Sequence, residues 1–138
     1  MILTELSPQN FPRFVLFEDN HLLVVRKPAG LLVQGDRSGR ANLLDLAKEY
    51  LKIKYHKPGK VFLGLVHRLD RQAAGVMVLA RTTKSAGRLS AQFREHTVKK
   101  IYWAVVHGSL SPPAGRLEMY LTRSGEKMIL VPVGSPGA

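Results

Sequence analysis

The sequence predicts an α+β fold, a mixed, mostly antiparallel sheet with flanking helices. Short apolar runs rich in β-branched and aromatic residues outnumber the segments with helical spacing. Several of these runs are joined by a few turn-forming residues, as in hairpins, which argues against a doubly wound parallel sheet. The elements follow in order.

Residues 1–13 contain Pro8 and Pro12 and read as an irregular lead-in. Phe14-Val15-Leu16-Phe17, then Glu18-Asp19-Asn20-His21, then Leu22-Leu23-Val24-Val25 read as strand, turn and strand. Lys27-Pro28-Ala29-Gly30 ends the second strand, because proline has no ladder donor and glycine permits a turn. Gly35 to Gly39 is a polar loop. Asn42 is placed to cap a helix, with Asp45 three residues on resembling a capping box. Leu43, Leu44, Leu46, Ala47, Tyr50 and Leu51 then recur at helical spacing. A basic stretch runs from Lys52 to Lys60 and includes Pro58-Gly59.

The runs Val61–Val66 and Val76–Ala80 are short enough to be strands. Thr83 is placed to cap a second helix reaching about His96, with Ala86, Leu89 and Phe93 on one stripe. Val98 to His107 is β-branched and aromatic and predicts a strand. Alternation would put Tyr102 and Trp103 on opposite faces of it, with core packing the commoner use of such a pair. Leu117, Met119 and Leu121 alternate with other residues, Ser124-Gly125 forms a turn, and Met128 to Val133 completes a hairpin.

Composition narrows the function. A length of 138 residues fits one domain, taking about 150 residues per domain. The 45% hydrophobic content excludes a disordered basic tail. Zero cysteines exclude a disulfide scaffold, a thiolate zinc site and a cysteine nucleophile. No apolar run reaches the ~18 residues of a membrane span, and Met1–Glu5 has no basic secretory n-region. A cytoplasmic protein is the expectation.

Twenty-one Lys and Arg against ten Asp and Glu give a net charge of +11. From Lys52 to Arg116 the only acids are Asp70 and Glu95. A charge run is commonly a solvated face, but this one spans several elements and points to a polyanionic partner, nucleic acid ahead of a membrane surface.

One segment carries chemistry. His67-Arg68-Leu69-Asp70-Arg71-Gln72-Ala73-Ala74-Gly75 lies between two apolar runs, where a scaffold presents functional groups. A carboxylate opposes phosphate binding on a basic surface, so Asp70 has either a chemical role or an ion pair that holds the loop. The histidines His21, His56, His67, His96 and His107 show no metal-ligand spacing, and no P-loop or nucleophile elbow is present.

That string resembles the H-R-L-D-R-x-T-S-G motif of the RluA-type pseudouridine synthases. Three further stretches resemble the same family in the same order. They are Asn20 to Leu31 with its Lys27-Pro28 turn, the helix residues Lys84-Ser85-Ala86, Leu89 and Phe93, and Val98 to Gly108, similar to a K-x-Y-x-A-x-V-x-G strand. The likeness runs from residue 14 to about 133.

The resemblance implies an enzyme that isomerises uridine in rRNA or tRNA to pseudouridine without a cofactor. It implies Asp70 as the catalytic aspartate, acting either as nucleophile or as base, and Tyr102 as the active-site tyrosine that stacks on uracil. It places Arg68 beside the displaced nucleotide, and His67, Arg71, Lys99 and Lys100 complete the expected RNA contacts. A base inside a stack cannot rotate, so it must leave the stack, and cations and an aromatic platform can hold it outside.

Ala73-Ala74 replaces the family's Thr-Ser, and Arg26 stands where Asn or Asp is usual. The family's later G-R-x-H-Q-I-R-type segment has no match in Leu121 to Ala138. Residues 14–138 are therefore expected to be the N-terminal portion of a catalytic domain that is monomeric when complete. An exposed sheet edge here would invite pairing or aggregation. The alternative reading is a truncated, catalytically silent RNA-binding module. A DNA-binding protein ranks third, with no recognition-helix or finger pattern.

Overall fold

The computed structural model describes residues 6–132, apart from Ser38 and Glu126. Residues divide into two units, Met1–Lys100 and Ile101–Ala138.

The first unit is built on a four-stranded sheet in the order β1-β2-β4-β3. β1 is Val15–Glu18, β2 Leu22–Lys27, β3 Gly64–Leu65 and β4 Gly75–Ala80. Among the described residues its strand pairs are antiparallel, and an isolated bridge between Leu32 and Asn42 is parallel. The β1–β2 turn forms where Asp19 expects it, its carboxylate accepting from the His21 and Leu22 amides, both at 2.7 Å.

Alternation along β2 buries Leu23, Val25 and Lys27 on one face. Leu23, Val25, Met77 and Leu79 are fully buried there. Each such side chain contributes roughly 1.5–3 kcal/mol on leaving water. Helix α1, Leu43–Lys54, adds Leu43, Ala47, Tyr50 and Leu51 to the same core. Asn42 caps α1, its Oδ1 accepting from the Asp45 amide at 3.0 Å. A 3-10 turn at Phe11–Phe14, inside the stretch expected to be irregular, buries Phe11 against the Tyr50 ring at 5.0 Å. Residues 1–5 of that lead-in lie outside the described residues.

Glu18 ties the sheet to α1. Its carboxylate accepts from Tyr50 (2.8 Å), Tyr55 (2.6 Å), Lys54 (2.9 Å) and Arg81 (3.2 Å). Burial pushes the carboxyl up, but bonds from Tyr55, Lys54 and Tyr50 and the Lys54 charge outweigh it and leave it below the usual range.

Helix α2 is Thr83–Arg94. Its cap is Thr82, not Thr83: Thr82 keeps an extended backbone and exchanges capping-box bonds with Ser85, while Thr83 is already helical. The helix sits close to β3. A Cβ on Gly64 would lie 2.9 Å from the Ala86 Cβ, so a glycine is needed at that approach.

Two strand expectations are corrected. The run Val61–Val66 forms ladder bonds only at Gly64–Leu65. Val61 and Leu63 are buried and Phe62 is exposed, so the alternation is strand-like but finds no pairing partner there. The run 98–107 forms no strand, because no described residue pairs with it. Propensity alone does not satisfy its amide and carbonyl groups.

The second unit holds the expected hairpin, β5 Tyr120–Ser124 and β6 Lys127–Val131, antiparallel around Gly125 at φ +61°. Val133, expected as its last residue, lies outside the described residues. Tyr102 and Trp103 are not core residues but are 63% and 97% exposed.

Candidate active site at the 67–75 loop

The site begins with an unusual choice at the end of β2. Position 27 points into the core, yet it is a lysine with no exposed surface. Its ammonium donates to three backbone carbonyls, Pro28 (2.9 Å), Arg71 (3.2 Å) and Ala73 (2.7 Å). Burial pushes the Lys27 ammonium down, and the negative charge of Asp70 acts against that.

The turn after β2 adds a second clasp. Gly30, at φ +86°, donates its amide to the Arg71 carbonyl at 2.7 Å. Arg71 Nε returns a bond to the Gly30 carbonyl at 3.1 Å. The positive φ is the left-handed region that glycine enters without steric cost. The loop also closes on itself, the Ala73 amide donating to the Asp70 carbonyl at 3.1 Å.

Asp70 therefore sits at the outer side of a loop whose backbone is held from beneath. Its side chain is exposed, as are those of Arg68 and Arg71. Among the described residues no cation lies within ion-pair distance of its carboxylate, so the loop is held by Lys27 and Gly30 and not by an Asp70 ion pair. An exposed carboxylate between guanidinium groups can meet a polyanion whose phosphates those groups attract.

His67 turns back from the loop. Its Nε2 accepts from the Val78 amide at 3.0 Å, and its ring stacks on Phe93 with centroids 4.6 Å apart. Burial, then the nearby positive charge of Lys100, pushes the imidazole down. Lys99 and Lys100 are exposed beyond α2. The loop thus brings together His67, Arg68, Asp70 and Arg71. Tyr102 belongs to the second unit.

Sequence reasoning noted Lys27 only as part of a turn. The available signal was alternation: Leu23 and Val25 are core positions, so position 27 shares their face. A lysine there needs buried acceptors.

Among the described residues, no group of three or more His, Asp or Glu could hold a metal ion. No helix among them is long and apolar enough to cross a membrane.

Residues 21–132 match the family described as RNA pseudouridylate synthase. The chain is 36% identical to ribosomal large subunit pseudouridine synthase D of Zymomonas mobilis, over 93% of this chain and 42% of that protein. It is 35% identical to ribosomal large subunit pseudouridine synthase C of Buchnera aphidicola (subspecies Schizaphis graminum), over 98% of this chain and 43% of that protein. Among solved structures it is similar to the human RNA pseudouridylate synthase domain containing 4, at TM-score 0.71 and 29% identity. That match covers 90% of this chain and 49% of the human one. The chain spans less than half the length of these relatives. With a family match that takes in β2, the clasped loop, both helices and the hairpin, the chain belongs to the RNA pseudouridylate synthase family.

Proposed function

We propose that this chain carries the aspartate of an RNA pseudouridine synthase and isomerises uridine in rRNA or tRNA without a cofactor. The observation that supports this most is the 67–75 loop. Lys27 and Gly30 hold its backbone while Asp70 stays exposed between Arg68 and Arg71.

In the reaction the N1–C1′ bond of uridine breaks and a C5–C1′ bond forms. The C5 proton leaves and N1 regains one, so the net change is an isomerisation. Asp70 is assigned the attack that starts glycosidic cleavage, as nucleophile or as base toward the sugar. Arg68 is assigned contact with the RNA beside the displaced nucleotide, while Arg71, Lys99 and Lys100 hold flanking phosphates. Tyr102 is assigned the stacking platform for the freed uracil.

The test is tritium release from RNA labelled at uridine C5. Wild-type chain releases tritium and the Asp70→Asn chain does not; equal release by both removes Asp70 from the chemistry.

A second reading, a silent RNA-binding module, is favoured by one observation. Among the described residues no strand pairs with the segment around Tyr102, and its apolar side chains are exposed. Salt-sensitive RNA binding without pseudouridine would support that reading, and turnover by this chain would end it.

A further inference from the structure

β3 pairs with β4 through Gly64↔Ala80 and Leu65↔Leu79. Continuing that register by one residue would place Val66 opposite Val78. The chain instead leaves the sheet, and the Val78 amide is taken by the imidazole of His67. A side chain thus supplies the next acceptor along the edge of β4, at the point where the loop bearing Asp70 departs.

The chemistry of that bond is one-sided. A backbone N–H can only donate, so Nε2 must be bare and the ring proton must sit on Nδ1. A protonated imidazole would present a second donor to Val78 and lose the bond. Phe93 covers one ring face, so the imidazole cannot readily turn away. We propose that His67 is a positioning residue for Asp70, fixing where the loop after β3 parts from the edge of β4 only while its imidazole is neutral.

This rests on Asp70 being the reacting residue, and it gives His67 a task other than contact with RNA. The groups that meet it from β4 and α2, the Val78 backbone amide and the Phe93 ring, are uncharged. The outside charge acting on the ring is that of Lys100, beyond α2, and it favours the neutral form, as burial does. Arg68 and Asp70 are the charged neighbours on its own loop.

Three chains separate the possibilities: wild type, His67→Gln and His67→Phe. Gln offers an amide oxygen at similar reach and does not titrate; Phe keeps the ring stack and offers no acceptor. Nitrogen NMR of the wild-type imidazole should show a bare Nε2 and a protonated Nδ1 at neutral pH. In H67F, hydrogen exchange at the Val78 amide should rise about tenfold, as expected for the loss of one hydrogen bond. Exchange at the Ala73 amide, which closes the loop on the Asp70 carbonyl, should rise with it. A purely local role would move Val78 alone. H67Q should restore both amides, and only wild type should lose protection at both as pH falls through the His67 titration. In turnover, H67F should lower kcat with KM for RNA unchanged, and H67Q should recover it without the acid-side decline.

A protonated Nε2, or Ala73 exchange equal in all three chains, overturns the proposal. Asp70→Asn should leave Val78 and Ala73 exchange unchanged. Retained turnover in that variant would therefore defeat the catalytic reading while leaving the His67 geometry standing.

Discussion

Replacing Lys27 by Met tests the clasp beneath the loop. Methionine is similar in length and carries no donor, so the core stays filled while the carbonyls lose their ammonium. Of the three acceptors, Arg71 O keeps the Gly30 amide at 2.7 Å. Pro28 O and Ala73 O lose the partners they held at 2.9 and 2.7 Å. A fully buried unpaired carbonyl costs about 1–3 kcal/mol, and these two are half-buried, so the gross loss is at most about 2–6 kcal/mol. Relief of the buried charge offsets part of this, leaving a net loss of about 2–3 kcal/mol. For a chain of this size each kcal/mol lowers the melting temperature by about 3–4 °C, which gives a drop of about 6–12 °C. Thermal unfolding followed by far-ultraviolet circular dichroism measures it, with urea midpoints as a check. A drop under about 2 °C would mean the carbonyls find water and Lys27 does not hold the loop.

Gly64→Ala should destabilise by about 1–3 kcal/mol, because its methyl would press on the Ala86 Cβ at 2.9 Å, and Ala86→Gly in the same chain should recover most of the loss in urea unfolding. Glu18→Gln should cost about 2 kcal/mol at neutral pH by weakening the bonds from Arg81, Lys54 and the two tyrosines. Because the folded carboxyl titrates below its unfolded value, its contribution is full above the unfolded glutamate range and is lost as pH falls through the folded value. Stability measured across acidic pH should fall less steeply in the variant. Replacing Lys99 and Lys100 together by Ala should weaken RNA binding whatever its sequence and reduce the slope of log affinity against log salt by about 1–1.5.

Local rules explain what was legible. The β1–β2 hairpin followed from two apolar runs around Glu18-Asp19-Asn20-His21, and α1 from Asn42 and the leucine spacing. Those signals act within a few residues, so sequence carries them directly. The length of β3 and the fate of residues 98–107 depend on what lies alongside, which no propensity contains. The 67–75 loop was legible as a motif, but its support was not. Lys27 reaches carbonyls 44 and 46 residues away, and His67 reaches an amide 11 residues on. The cap at Thr82 was missed by one residue because adjacent threonines offer the same hydroxyl, and only the partner Ser85 separates them.

The Glu18 cluster also bears on how the chain acquires its structure. Its four donors lie 32, 36, 37 and 63 residues away along the chain. None of these bonds can be made by a local segment, and each requires closing a long loop first. The carboxylate therefore gathers its partners only after β1, α1 and the end of β4 have met. Interactions that form after the folding barrier act mainly on the rate of unfolding. Glu18→Gln should therefore raise the unfolding rate and leave the folding rate almost unchanged, and a slowed folding limb in its chevron would instead place the cluster within the folding nucleus.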